Sequence, residues 1–235
     1  MTARDDAIVI APAEWQLTQL AQSRARIYGT LSAIYTGLPG EQLVKLFSAW
    51  CASEQVPGQM PPSGIKIGLN TINSWLEKHG STPSEIAALE TEFTRLFRGL
   101  GREKSPPPPY ESVYLDSGLL YGPSTQRVAD IYRRFQIIVK DNEPPDYIAV
   151  ELDFMRLLCE KEALARQSQD DGVRELISAE NDFLREHPVA WVPAFCESVR
   201  RFDITSFYAG VADVTEGWIL NDQVVVRDLL NCHLN

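Results

Sequence analysis

Five carboxylates crowd one short stretch of the 235-residue chain: Asp141, Glu143, Asp146, Glu151 and Asp153, broken by the rigid pair Pro144-Pro145. Acids this close can share protons as general acid and base, or complement the dipole at a helix start. They can also accept a guanidinium through charge-assisted hydrogen bonds. A second stretch upstream has related chemistry, because four consecutive prolines, Pro106 to Pro109, lead into Tyr110-Glu111-Ser112-Val113-Tyr114. Proline-stiffened loops that carry aromatics and acids lose little entropy on binding. They suit recognition of an extended peptide that is both basic and apolar.

Other chemistries lack their residues. A zinc or di-iron centre needs ligands on neighbouring turns, such as His-Glu-x-x-His or paired Glu-x-x-His. The three histidines, His79, His187 and His233, are scattered and read as structural or solvated. The same scarcity removes the base that a Ser or Cys nucleophile requires, and no Gly-x-Ser-x-Gly elbow occurs. In Gly99-Leu100-Gly101-Arg102-Glu103-Lys104-Ser105 a Lys-Ser pair follows glycines. A phosphate loop would need glycine where the chain has Glu103 and Arg98. Cys51, Cys159, Cys196 and Cys232 form no Cys-x-x-Cys pair and read as buried thiols. No metal or cofactor is therefore expected.

The elements that must position the two loops are helical. Leu17, Leu20, Ile27, Leu31 and Ile34 share one face, and Leu43, Leu46, Phe47 and Trp50 continue in a shorter segment. Ile65, Leu69, Ile72 and Leu76 follow, with Gly80 placed as a stop. Thr82-Pro83-Ser84-Glu85 then reads as a capping box opening a helix that buries Ile86, Leu89, Phe93, Leu96 and Phe97. Beyond the proline run, apolar faces recur at Val128, Ile131, Tyr132, Phe135 and Ile138, and at Ile148, Leu152, Met155 and Cys159. Three more are Val173 to Leu184, Val189 to Val199, and Phe207 to Trp218. Strict alternation is absent, and the one β-branched run, Val224 to Val226, lies near the end. The expected fold is all-α, a single globular bundle of about ten helices with a proline-rich hinge loop. The helical parts span 14–98 and 124–220, the hinge 99–114 and a tail 221–235.

Composition narrows the partners. With 22 basic and 32 acidic side chains the net charge is −10, which disfavours nucleic acid and suits a cationic ligand. The longest uncharged stretch near the amino terminus, Ala7 to Ala13, is interrupted by Pro12 and too short for a signal peptide or a membrane span. A cytoplasmic location without membrane insertion is expected. Glu162 reads as an exposed acid remote from the two loops.

The string Asn142-Glu143-Pro144-Pro145-Asp146-Tyr147-Ile148-Ala149-Val150-Glu151-Leu152-Asp153-Phe154-Met155 closely resembles the signature of the TorD/DmsD (and NarJ) family of molybdoenzyme maturation chaperones. Three further segments agree in order. They are Phe93-Thr94-Arg95-Leu96-Phe97-Arg98-Gly99, the Pro107 to Tyr114 run, and Phe183-Leu184-Arg185-Glu186-His187 with Trp191, Pro193 and Phe195 following. The resemblance implies an all-helical cytoplasmic protein without a catalytic centre. It would bind the twin-arginine signal peptide and catalytic subunit of a molybdopterin oxidoreductase of the DMSO reductase family, hold that subunit for cofactor insertion, and delay its export. The family's peptide-binding positions fall on Phe93, Leu96, Phe97, Pro109, Tyr110, Pro144, Asp146 and Tyr147. Where this chain has Tyr147 the family more often has histidine, so a pH switch does not carry over.

The residues themselves suggest that Asp146 and Glu143 meet the two arginines while Phe93, Leu96, Phe97 and Tyr110 line the apolar part. Leu96 has the spacing of a core residue as well. A helical adaptor for another complex and a carboxylate-based hydrolase are the alternatives. The stiff linker also allows a monomer or a domain-swapped homodimer.

Overall fold

The computed structural model describes residues 13–52, 63–98, 105–139 and 143–232. Ten helices occur among the described residues: α1 (Glu14–Thr36), α2 (Glu41–Ala52), α3 (Ser63–His79), α4 (Pro83–Phe97), α5 (Glu111–Leu115), α6 (Pro123–Arg134), α7 (Ile148–Ser168), α8 (Val173–Glu186), α9 (Pro188–Phe202) and α10 (Phe207–Cys232). The described residues contain no strand, only an isolated antiparallel bridge between Tyr110 and Tyr147. Asp141, Asn142, His233, the Ala7 to Pro12 stretch and the Gly99 to Lys104 loop lie outside the described residues, as do the side chains of Leu43, Cys51 and Cys232.

Local signals set the helix ends where the sequence places them. Thr82 caps α4, its Oγ1 accepting the Glu85 N–H at 3.4 Å, with Pro83 at the first helical position. The reciprocal half of the box is not made. Glu85 instead meets His79 at 3.1 Å, and His79 stacks on Trp75. Gly80 ends α3 with φ of 71°, a left-handed conformation that costs glycine little.

Packing joins both sides of the proline run in one core. α1 lies along α7, and α3 along α10. The second pair is close because a Cβ on Gly68 would sit 2.5 Å from the Gly210 carbonyl oxygen. Tyr28, Leu31 and Tyr35 of α1, Phe93, Leu96 and Phe97 of α4, Leu152 of α7, Phe195 of α9 and Tyr208 of α10 share the main apolar cluster. Its aromatic centre has Tyr35 at 5.4 Å from Phe97 and 5.7 Å from Phe195. Pro106 and Pro109 are buried, so the described part of the hinge is fixed against the bundle.

Three sequence expectations change. α6 stops at Arg134, and Ile138, read above on its apolar face, stands 88% exposed in the following loop. Residues 221–232, read as tail, continue α10, because Val226 and Leu229 pack with Ile177 of α8 in a second small cluster. That burial overrides the weak helix preference of the valine run.

Glu162 is buried too. It accepts from Arg24 Nη1 at 2.9 Å and Arg166 Nε at 2.8 Å, within a network where Arg24 also binds Glu180 at 2.6 Å and Asp222 at 2.6 Å. Cys159 and Cys196 are buried free thiols whose pKa values burial raises. Among the described residues no helix is long and apolar enough to cross a membrane, and no group of three or more candidate ligands could hold a metal ion.

Candidate peptide-binding site

The two proline-stiffened loops meet. Proline carries no N–H but keeps its carbonyl, and Pro109 O accepts the otherwise unpaired Ile148 N–H at the start of α7, at 3.0 Å. In return Asp146 O accepts the Glu111 N–H that opens α5, at 2.9 Å. The Tyr110 and Tyr147 rings pack 5.2 Å apart across this junction.

Within it the proposed contact residues divide into interior and surface. Asp146 is fully buried, and its Oδ2 accepts the Ser112 N–H at 2.9 Å, so it caps α5 from the neighbouring loop. A direct contact between Asp146 and an incoming arginine is thereby corrected, because the carboxylate has no open face. Tyr147 is also interior, its hydroxyl donating to the Tyr35 carbonyl oxygen. Burial raises its pKa far above the usual phenol range, and the nearby Arg98 guanidinium only partly offsets this. The ring therefore stays neutral where a histidine could titrate.

Phe93, Leu96 and Phe97 are 1%, 0% and 2% exposed and belong to the core. They form no exposed surface in this structure, and the Phe93 ring is covered by the Arg98 guanidinium, 5.7 Å from its centroid. The apolar stripe of α4 turns towards α1, α9 and α10, with Phe97 5.4 Å from Tyr208. Pro109 and Pro144 are buried supports of the junction. Tyr110 and Glu143 remain accessible, the Glu143 side chain 40% exposed and 3.7 Å from Arg98 Nη1.

Beside the junction runs a groove of about 870 Å³ that the sequence did not reveal as a unit. α1 supplies Gly29, Ser32, Ala33 and Thr36, the α6–α7 loop supplies Ile137, Ile138, Val139 and Glu143, and α7 supplies Val150, Asp153 and Leu157. Its walls are mostly apolar, with Glu143 and Asp153 among its lining residues. Asp153 is engaged by Arg156 of its own helix at 2.6 Å. The apolar triplet Ile137-Ile138-Val139, just ahead of the acidic loop, was the available signal. Helical spacing instead places Ile138 alone of the three on the apolar face of α6, which ends at Arg134.

Beneath the junction, Glu111 binds His187 Nδ1 at 2.7 Å and Glu151 accepts from Trp191 Nε1 at 3.0 Å, tying α5 and α7 to α9. Burial, and Glu111 next to it, push the Glu151 carboxyl well above the usual carboxylate range. These acids are sealed inside and hold the scaffold.

Residues 62–197 match the family model described as nitrate reductase delta subunit. Among curated relatives, the chaperone protein TorD of Vibrio cholerae strain O395 is 29% identical over 226 residues, 92% of this chain and 97% of that one. TorD of Photobacterium profundum is 36% identical over 200 residues, 80% of this chain and 86% of that one. A looser likeness, with a TM-score of 0.44 and 22% identity over 92% of this chain and 99% of the other, is to a crystal structure of a candidate redox enzyme maturation protein from Archaeoglobus fulgidus. The family-model match covers more than half of the chain, and with the relatives in support, the chain belongs to the TorD/DmsD, NarJ-like family of molybdoenzyme maturation chaperones.

Proposed function

We propose that this chaperone acts in the cytoplasm on the apoprotein of a molybdopterin oxidoreductase of the DMSO reductase family, binding its twin-arginine signal peptide in the groove between α1, the α6–α7 loop and α7. By holding that peptide it delays export while the cofactor is inserted. The observation that carries this reading is the pairing of apolar groove walls with Glu143 and Asp153 in one cleft of about 870 Å³. A signal peptide offers the matching chemistry, arginines followed by an apolar stretch. The chain's net charge of −10 favours encounter with a basic segment.

Recognition then divides between the two loops. Glu143 orients a guanidinium group through the planar fork, and Ile137, Ile138, Val139, Val150 and Leu157 receive the apolar residues. The Tyr110–Tyr147 bridge and the Asp146 cap keep the floor in place, so little ordering entropy is lost on binding.

Isothermal titration with a signal peptide carrying two arginines, and with its lysine-lysine counterpart, tests this. The expected result is saturable binding of the first that weakens in the second, since lysine keeps the charge but loses the fork. Equal binding of both peptides, or none, would contradict the proposal.

A further inference from the structure

Arg98 follows α4 as its C-cap, and its side chain reaches into surroundings built for a guanidinium. Nη2 donates to the Thr36 carbonyl oxygen at 2.9 Å, and Nη1 lies 3.7 Å from Glu143 Oε1. The guanidinium carbon sits 5.7 Å from the centroid of Phe93 and 5.8 Å from that of Tyr147. A carbonyl from the last turn of α1, a carboxylate and two aromatic rings thus surround one planar cation. Helix C-terminal carbonyls, carboxylates and ring faces each attract such a group.

Thr36, Glu143 and Tyr147 also line the groove, so this cradle opens onto it. Its occupant is loosely held. The 3.7 Å separation from Glu143 exceeds the roughly 2.7–2.9 Å of a charge-assisted hydrogen bond, and the Arg98 side chain is 34% exposed. Arg156, which itself lines the groove, differs. It is clamped by Asp153 at 2.6 Å and Glu160 at 2.7 Å on its own helix, and it packs against Gly29.

We propose that the cradle is a guanidinium subsite, that Arg98 is its resident occupant, and that an arginine of a bound peptide enters by displacing Arg98. The peptide's identity rests on the function proposed above, whereas the cradle's preference for a guanidinium does not. A resident competitor lowers apparent affinity by the fraction of molecules in which the site is open. Removing it raises affinity although a positive charge and several contacts are lost.

Two probes separate the subsite from the peptide reading: a synthetic peptide with adjacent arginines before an apolar stretch, and N-acetyl-arginine amide. Arg98→Ala should bind the peptide roughly three- to tenfold more tightly than wild type by titration calorimetry, and adding Glu143→Gln should abolish the gain. N-acetyl-arginine amide should shift NMR signals of Tyr147 and Thr36 in Arg98→Ala and leave those of wild type nearly unmoved. Arg98→Met, which keeps chain length without charge, is read in parallel and takes the place of Arg98→Ala if that variant melts early. Unchanged or weaker peptide binding in both variants overturns the proposal while leaving the peptide reading intact. Amide binding to Arg98→Ala with no peptide binding in any form supports the cradle and removes the peptide reading. Failure of the amide to bind either variant overturns the cradle.

Discussion

Arg24 and Arg98 both meet carboxylates, and their surroundings give them opposite roles. Arg24 is wholly buried and holds Glu162, Glu180 and Asp222 at 2.9, 2.6 and 2.6 Å, while Tyr28 donates to Asp222 at 2.7 Å. That fork ties α1 to α7, α8 and α10. Arg98 is one-third exposed, has one carboxylate at 3.7 Å and contacts Thr36 and Glu143, two residues that line the groove. Where every donor is spent on neighbours sealed from water, an arginine fastens the fold. Where the fork is partly spent and water has access, the same residue can be exchanged for a ligand. The acids follow suit, since Glu162 and Asp146 belong to the frame and Glu143 to the groove.

The contrast breaks most visibly if the buried arginine is removed. Arg24→Leu leaves three carboxylates with Arg166 as the remaining buried cation and should cost about 3–5 kcal/mol in urea unfolding. A loss under about 1 kcal/mol would place Arg24 with the replaceable surface pairs instead. Asp146→Ala deprives Ser112 N–H of its partner and should cost about 1–2 kcal/mol. It would weaken peptide binding only by loosening the junction.

The buried network also predicts a pH dependence. Glu162, Glu180 and Asp222 outnumber Arg24 and Arg166 by one, and burial pushes the Glu180 carboxyl up from 4.5 to about 8. A raised folded-state pKa means that the folded protein holds this proton more tightly. The contribution is complete below about 4.5 and is lost as pH rises through about 8. Glu180→Gln, which mimics the protonated side chain, should flatten the fall in urea midpoint across that window. A slope identical to wild type would assign the proton elsewhere. The smallest stability effect belongs to the groove, as Glu143→Gln should change unfolding by no more than about 0.5 kcal/mol. Its peptide affinity should nonetheless drop roughly tenfold, the loss of one charge-assisted contact of about 1.5 kcal/mol.

Much of this architecture was legible because it depends on local chemistry. The Thr82 cap, the Gly80 stop and the apolar periods of α1, α4, α7 and α9 need only neighbours in sequence. The two proline loops were legible as stiff segments of related chemistry, but their meeting at the Tyr110–Tyr147 bridge needs the folded chain. Periodicity identifies an apolar face, but it does not say which charged residue is drawn inside with it. Glu162 and Asp146 therefore read as surface acids, although distant Arg24 and Ser112 bury them. Phe93 and Phe97 sit within a binding motif and look the same in sequence whether they form the wall of a site or, as here, its backing. The groove was hidden because Gly29 to Thr36 carry no chemical signature of their own, and only α7 packing beside α1 makes them a wall.

The central claim is that recognition resides in the cleft between α1, the α6–α7 loop and α7, while the Arg24 network only holds the frame. Hydrogen–deuterium exchange of the wild-type chain with and without a twin-arginine signal peptide tests it most directly. New protection should concentrate in residues 29–37 and 143–157 and leave α8 and the second half of α10 unchanged. Protection confined to α8 and α10, with the groove exchanging as before, would contradict it.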